Sequence, residues 1–142
     1  MRNGNYTIGP NGSTTIKNTI SSDAISIESR LSDLTIEGDL IIDNTQEDGI
    51  DVTVNTYTLA ETAKIQVSNV TGAGLAFWED VVVTIKGNVQ IENAGSFGIT
   101  VFQDGILDIN STATISMKDI GIDGFYAQEA SAQININGEV SL

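Results

Sequence analysis

Short runs of alternating apolar residues recur along the chain with a period of about 25 residues. Residues 72–95 contain three such runs, separated by polar or glycine-containing segments: Leu75/Phe77, Val83/Ile85 and Val89/Ile91. Four other segments fall into the same columns: 22–46, 47–71, 96–120 and 121–142. Alternation with a period of two is typical of strands, and no stretch of about ten residues sustains helical periodicity. Because no single copy buries a face alone, the copies must stack.

The copies align on three apolar columns. The first column contains Ile25/Ile27, Ile50/Val52, Leu75/Phe77, Ile99/Val101 and Phe125/Ala127. The second contains Leu34/Ile36, Leu59, Val83/Ile85, Leu107/Ile109 and Ile134/Ile136. The third contains Leu40/Ile42, Ile65/Val67, Val89/Ile91, Ala113/Ile115 and Val140/Leu142. Glu61 falls where an inward residue is expected, so we predict a register change there. Residues 4–20 are predicted to form an incomplete first copy, with four apolar positions: Tyr6/Ile8, Ile16 and Ile20.

Small and amide residues also occupy fixed columns. One small-residue column lies between the second and third runs: Gly38, Ala63, Gly87, Ser111 and Gly138. Small residues at fixed positions predict left-handed turns of the backbone. A column of Asn44, Asn69 and Asn93 follows the third run. It predicts an internal ladder in which side-chain amides hydrogen-bond from coil to coil.

These columns predict an all-β fold, a single-stranded parallel β-helix of about five to six coils of roughly 24–25 residues, with three short strands per coil. We expect one domain over residues 1–142, with residues 1–20 as the incomplete coil and residues 21–142 as five repeat coils. The columns resemble those of right-handed parallel β-helix proteins with the pectin-lyase-like fold. Segments 85–93 and 98–101 resemble repeats of bacterial autotransporter passengers and adhesins. This resemblance implies a right-handed coil, an extracellular or bacterial cell-surface location and a role in virulence.

The composition limits the possible partners and chemistry. The chain has a formal net charge of −13 and contains neither histidine nor cysteine. An acidic surface repels nucleic acid and anionic membranes, so we expect neither a nucleic-acid partner nor membrane insertion. Thiol, disulfide and histidine-centred sites are excluded. Turn acids such as Asp43, Asp48 and Asp119 lack the spacing of known calcium loops, so we predict no metal and no cofactor.

The outward positions beside the first strand form two rows. One row contains Glu28, Thr53, Trp78, Phe102 and Gln128, and the other contains Ser26, Asp51, Ala76, Thr100 and Tyr126. Exposed aromatic residues in a patch are typical of a binding surface. We therefore predict a binding site composed of the three aromatic residues and the adjoining turn acids: Trp78, Phe102, Tyr126, Glu79, Asp80 and Asp104. Alternatively, these rings only cover the turn or contact a segment outside this chain.

No catalytic residue is predicted. Glycoside hydrolysis needs two carboxyl groups about 5–9.5 Å apart, which Asp80 and Asp104 could supply, but any acidic column of a β-helix could do so. The Gly-His-Gly and Arg-Ile-Lys motifs of polygalacturonase-like members of the resembled group are absent. We predict a non-enzymatic, adhesin-like scaffold that presents its side to a glycan or a host surface protein. The alternatives are a polysaccharide-processing module, such as a tailspike or lyase, and a self-assembling filament subunit.

The two ends of the predicted rod present unpaired strand edges. The sequence finishes at residues 140–142, within a predicted third strand, and residues 1–5 contain no apolar run of the signal-peptide type. We therefore expect either a mature piece of a longer solenoid, whose flanking coils cover the edges, or self-association through the rod ends.

Overall fold

A computed structural model describes residues 5–142 of the chain, so residues 1–4, which include most of the segment considered for a signal peptide, lie outside it. The described residues form a parallel β-solenoid of about five turns without any helix. The strands are β1 Tyr6–Ile8, β2 Ser13–Thr19, β3 Ile25–Ile36, β4 Asp39–Thr45, β5 Ile50–Leu59, β6 Lys64–Val70, β7 Leu75–Phe77, β8 Val82–Ile85, β9 Asn88–Ala94, β10 Phe97–Phe102, β11 Ile106–Ile109, β12 Thr114–Ile120, β13 Asp123–Gln128, β14 Gln133–Ile136 and β15 Glu139–Ser141. The predicted fold class is therefore confirmed.

Each strand pairs in parallel with the equivalent strand one turn away. The first and second runs form a nine-stranded sheet with the order β13-β10-β7-β5-β8-β11-β14, to which β3 and β1 are added beside β5. The third runs form a six-stranded sheet with the order β15-β12-β9-β6-β4-β2. The last three coils have three separate strands each, whereas β3 and β5 join the first and second runs into one long strand.

The register confirms the first apolar column and corrects the other two. Tyr57, not a residue near Glu61, completes the second column, because it pairs with Leu34 and Val83. The predicted register change at Glu61 is wrong: Glu61 is exposed, and the shift lies in β3, between Ser29 and Asp33.

The third column is displaced by two residues in one coil. The pair Ile115/Met117, rather than Ala113/Ile115, aligns with Val89/Ile91. The cause is a longer turn before β12, closed by a 3.0 Å hydrogen bond from Ala113 N to Asn110 O. The small-residue column therefore contains Ala113 where the sequence pattern indicated Ser111.

The interior is one continuous apolar cluster. Aliphatic side chains dominate it, and the largest fully buried residues are Tyr57 and Phe77, whose ring centroids lie 4.8 Å apart in an edge-to-face arrangement. Ile16 packs against the cluster, but Ile20 is 74% exposed. Ile20 follows β2 at a turn and does not occupy an interior position, so that part of the prediction is wrong.

The asparagine column forms two separate side-chain pairs on the surface and not the continuous internal ladder that the sequence predicted, because Asn69 Nδ2 donates to Asp43 Oδ1. Asn44 Nδ2 donates to Asn18 Oδ1 at 2.7 Å, and Asn93 Nδ2 donates to Asn69 Oδ1 at 2.8 Å. All four asparagines are exposed, and their φ angles lie between 55° and 61°. Asparagine tolerates this left-handed conformation better than most residues, so the column marks a sharp turn of each coil.

Glycine does not supply the left-handed turns, contrary to the prediction. All residues with positive φ in residues 5–142 are non-glycine. The small-residue column instead marks close approach between coils, because a Cβ at Gly87 would overlap the carbonyl oxygens of Ala60 and Ala63. Smallness, and not backbone flexibility, is what this column requires.

Candidate functional site

Three columns of outward positions cover the first strand of successive coils. They contain Asp23, Asp48, Ala73, Phe97 and Asp123; then Ser26, Asp51, Ala76, Thr100 and Tyr126; then Glu28, Thr53, Trp78, Phe102 and Gln128. Carboxylates therefore occupy the N-terminal coils of this surface and aromatic rings occupy the C-terminal coils. We call the surface formed by these columns the outer face.

Four aromatic rings form two stacks on the outer face. Trp78 and Phe102 stack with centroids 3.7 Å apart and planes 7° apart. Phe97 and Tyr126 stack with centroids 4.4 Å apart and planes 9° apart. The register places Trp78 and Phe102 on successive coils, so each of these rings covers one face of the other.

The floor between the stacks is closed to solvent. Ala76 and Thr100 point away from the solenoid interior, yet they are only 1% and 2% exposed. Trp78, Phe97 and Phe102 occupy the neighbouring columns, and Tyr126 follows Thr100 in the same column, so the rings surround the two buried residues. The aromatic stacks are therefore a packed outer layer, and not freely rotating side chains.

Three carboxylates meet at the N-terminal side of the same face. Asp23, Asp48 and Asp51 each place one carboxylate oxygen within 4.8 Å of the others. Asp48 Oδ1 accepts the Ala73 N–H at 2.6 Å, and Asp23 Oδ1 accepts the Asp48 N–H at 3.0 Å. Asp51 Oδ2 accepts the Trp78 indole N–H at 3.1 Å. The group is thus joined to the Trp78–Phe102 stack by a direct hydrogen bond.

Burial dominates the electrostatics of this acidic group. Burial, together with the charge of Asp23, raises the pKa of Asp51 to about 6. Burial also raises the pKa of Asp48, although the hydrogen bond from the Ala73 N–H opposes the change. Among the described residues, these oxygen donors are the one carboxylate cluster that could hold a hard cation. The backbone and indole donors already occupy one oxygen of each of three acids.

A bulge in β3 lies beside Trp78. The register passes from Ser29–Val54 directly to Asp33–Thr56, so residues 30–32 face Asn55 alone. A 2.8 Å hydrogen bond between the hydroxyls of Ser29 and Ser32 spans the buried base of the bulge. The bulge directs Arg30 outward, where its guanidinium forms an ion pair with the Glu79 carboxylate.

A cleft of about 170 Å³ separates the bulge from the turn after Trp78, and we call it the bulge cleft. Its lining residues combine an aromatic ring, amide and hydroxyl groups and charged side chains: Arg30, Thr53, Val54, Asn55, Trp78, Glu79 and Asp80. A wider depression of about 340 Å³ adjoins it and is lined also by Glu28 and Ser29. Asn55 Nδ2 donates to Asp33 Oδ1 at 3.1 Å, which fixes the orientation of the amide.

The structure brings together only part of the predicted site. Trp78, Glu79 and Asp80 line the bulge cleft, and Phe102 stacks on Trp78. Tyr126 belongs to the second stack, with Phe97, and Asp104 is exposed in the turn after Phe102, outside the cleft lining.

Three contributors were absent from the predicted set. Phe97 could not have been found from alternation, which places it with the inward Ile99 and Val101, and its stacking on Tyr126 shows its outward position. Asp51 was placed in an outer row, but its bond to the indole depends on the rotamer of Trp78. Arg30 depends on the bulge, which the sequence does not reveal, because the first and second runs of the last copy (Ala127 and Ile134) are as far apart as those of this copy (Ile27 and Leu34).

Comparison with known proteins gives no relative: no family model, no curated protein and no solved structure matches the chain. Within residues 5–142 no helix has the length and apolar character needed to cross a membrane.

Proposed function

We propose that this solenoid is a non-enzymatic scaffold that binds a glycan on its outer face, with Trp78 at the centre of the site. The observation that supports the proposal is the bulge cleft, where an indole ring, an ordered amide and carboxylates line one small depression. Binding sites of this kind combine apolar walls with a few well-placed polar groups.

The face of the Trp78 indole that is turned away from Phe102 is the surface that we propose for a sugar ring. Phe102, on the following coil, covers one face of the indole. Thr53 and Asn55, which line the cleft, belong to the preceding coil and lie toward the other face. The C–H groups of a pyranose pack against such a ring, while its hydroxyls donate to the Asn55 oxygen and the Glu79 and Asp80 carboxylates.

The size of the cleft favours a single sugar unit. The cleft has a volume of about 170 Å³, whereas sites for drug-sized ligands have volumes of about 300–1,000 Å³. A longer glycan would extend into the depression beside Glu28, or along the aromatic stacks toward Phe97. We further propose that the protein acts at a bacterial surface or in a secreted form, as the resemblance to autotransporter and adhesin repeats implies.

Binding to a broad glycan array, with Trp78→Ala alongside, tests the proposal. We expect binding by the wild-type protein and its loss in Trp78→Ala, because the substitution removes the ring that packs against the sugar. Ile122→Ala is the matched control, since Ile122 is 63% exposed and lies outside the cleft lining. Absence of glycan binding by the folded wild-type protein, or equal binding by Trp78→Ala, contradicts the proposal.

A further inference from the structure

The charges around the bulge cleft are unbalanced. Its lining and the adjoining depression contain one guanidinium, of Arg30, and three carboxylates, of Glu28, Glu79 and Asp80. Arg30 is already paired with Glu79. Beyond the cleft the chain as a whole carries a net charge of −13. A ligand that approaches the cleft therefore meets a negative potential at long range and at contact.

The acidic side chains of the cleft accept hydrogen bonds. Glu79 and Asp80 offer carboxylate oxygens, and Asn55 commits one of its two amide N–H groups to Asp33. The groups that complement such a lining are donors, which the hydroxyls of a neutral sugar supply. A sugar carboxylate or sulfate supplies none and adds a like charge.

The Arg30–Glu79 ion pair engages the one guanidinium in the lining of the cleft. The Glu79 side chain is 28% exposed and lies in a turn with φ of 59°, whereas the Arg30 side chain is 65% exposed. If Arg30 turned to an anionic ligand, the Glu79 carboxylate would lose its ion-pair partner, at a modest cost for so exposed a pair.

We propose that the bulge cleft selects uncharged sugar residues and discriminates against sialylated, uronate-containing and sulfated glycans, with Glu79 as the residue that sets this preference. The inference rests on the proposed glycan-binding function. It assigns to the Arg30–Glu79 pair a role in specificity, since Glu79 both repels anionic ligands and occupies the guanidinium that would attract them.

The test compares matched oligosaccharides that differ only in one acidic group, for example a neutral galactoside and its sialylated form. Affinities are measured by titration calorimetry for the wild-type protein and for Glu79→Gln. We expect the affinity for the neutral form to be higher than that for the acidic form by a factor of about ten or more. In Glu79→Gln this ratio should decrease, because one repulsive charge is lost and Arg30 is released.

Glu139→Gln is the matched control, because it removes the same charge from an exposed position in the last strand. It should leave the ratio unchanged, which separates a local effect of Glu79 from a change in net charge. Tighter binding of the acidic form overturns this inference but not the proposed glycan binding. An unchanged ratio in Glu79→Gln does the same. Absence of binding to every glycan overturns the proposed function, and this inference with it.

Discussion

Asp51 connects the acidic group of the outer face to its aromatic stacks. It accepts the Trp78 indole N–H and lies within reach of Asp23 and Asp48. The position is electrostatically unfavourable for an ionised carboxylate, because it is partly desolvated and faces two other acids. At the scale of the residue, the carboxylate that orients the Trp78 ring is therefore one with a raised pKa, that of Asp51.

Replacing Asp51 with asparagine should stabilise the protein at neutral pH. The pKa of Asp51 is raised from 3.8 to about 6 in the folded state. Between these two pH values the Asp51 carboxyl group is therefore mostly protonated in the folded protein and mostly ionised in the unfolded chain. Its favourable contribution is complete below about pH 4 and is lost as the pH rises through about 6. After discounting for partial solvent screening, Asp51→Asn should raise the free energy of unfolding at pH 7 by about 1–2 kcal/mol. Urea unfolding at pH 7 and pH 5 measures this difference.

Asp43→Asn provides a control of opposite sign. Hydrogen bonds from Asn69 and Ser68 lower the pKa of Asp43, so its contribution is present above the ordinary pKa and decreases as the pH falls. Asp43→Asn should therefore reduce the decrease in the free energy of unfolding that the wild-type protein shows as the pH falls. If Asp51→Asn is less stable than the wild-type protein at pH 7, the Asp51 carboxylate is stabilised by contacts that outweigh its burial.

Substitutions of Asn69 separate the backbone role of the asparagine column from its side-chain hydrogen bonds. Asn69 has φ of 55° and its amide both accepts from Asn93 and donates to Asp43. Asn69→Ala loses these hydrogen bonds and adds left-handed strain, so it should lower the free energy of unfolding by about 1–3 kcal/mol. Asn69→Gly loses only the hydrogen bonds and should be more stable than Asn69→Ala in urea unfolding. The reverse order contradicts the left-handed role.

At the scale of the strand and turn, sequence reasoning succeeded where side chains alternate and failed where turn lengths differ. The first column could be predicted because each copy repeats the same inward pair. The turn before β12 was misplaced because Ser111 and Ala113 are both small, and only the hydrogen bond from Ala113 N to Asn110 O distinguishes them. The bulge at residues 30–32, and with it the bulge cleft, was missed because sequence alone does not assign a register shift to one of two paired strands. Trp78 was predicted because outward alternation fixes its column.

The close approach of coils at the small-residue column can be tested with two glycines. A Cβ at Gly87 would overlap the backbone carbonyl oxygens of Ala60 and Ala63, so Gly87→Ala should force adjacent coils apart. We expect it to lower the free energy of unfolding by about 1–3 kcal/mol. A Cβ at Gly9 would meet nothing within 4 Å, and its φ is not positive. Gly9→Ala should be neutral or stabilising, by up to about 1 kcal/mol. Equal effects of the two substitutions in thermal unfolding would contradict this account.

At the scale of the molecule, the solenoid distributes its outer residues unevenly along its axis. Acids occupy the early coils of the outer face, Phe97, Phe102 and Tyr126 occupy the later coils, and Trp78 lies at the boundary between the two regions. Because one residue per coil enters each column, a lateral site of this kind is built from sequence positions about 25 residues apart. A glycan along the axis would therefore contact several coils, and its affinity would depend on their stacking.

In a polypeptide of residues 1–142, the outer edge of the coil formed by β13, β14 and β15 should promote self-association. In the described residues β13, β14 and β15 each pair with a strand on one side only, and Ile136 in β14 is 48% exposed. Unpaired edges template pairing with another chain. Within residues 5–142, segment 25–29 of β3 pairs with β5 and not with β1, so it offers a complementary edge in the described part of the chain. We predict that sedimentation velocity will show reversible association that increases with protein concentration, and that Ile136→Lys will weaken it. Val82→Lys is the control, because Val82 is 40% exposed but lies in β8, which is paired on both sides. A monomer at all concentrations, or equal effects of both lysines, would show that the edges do not meet.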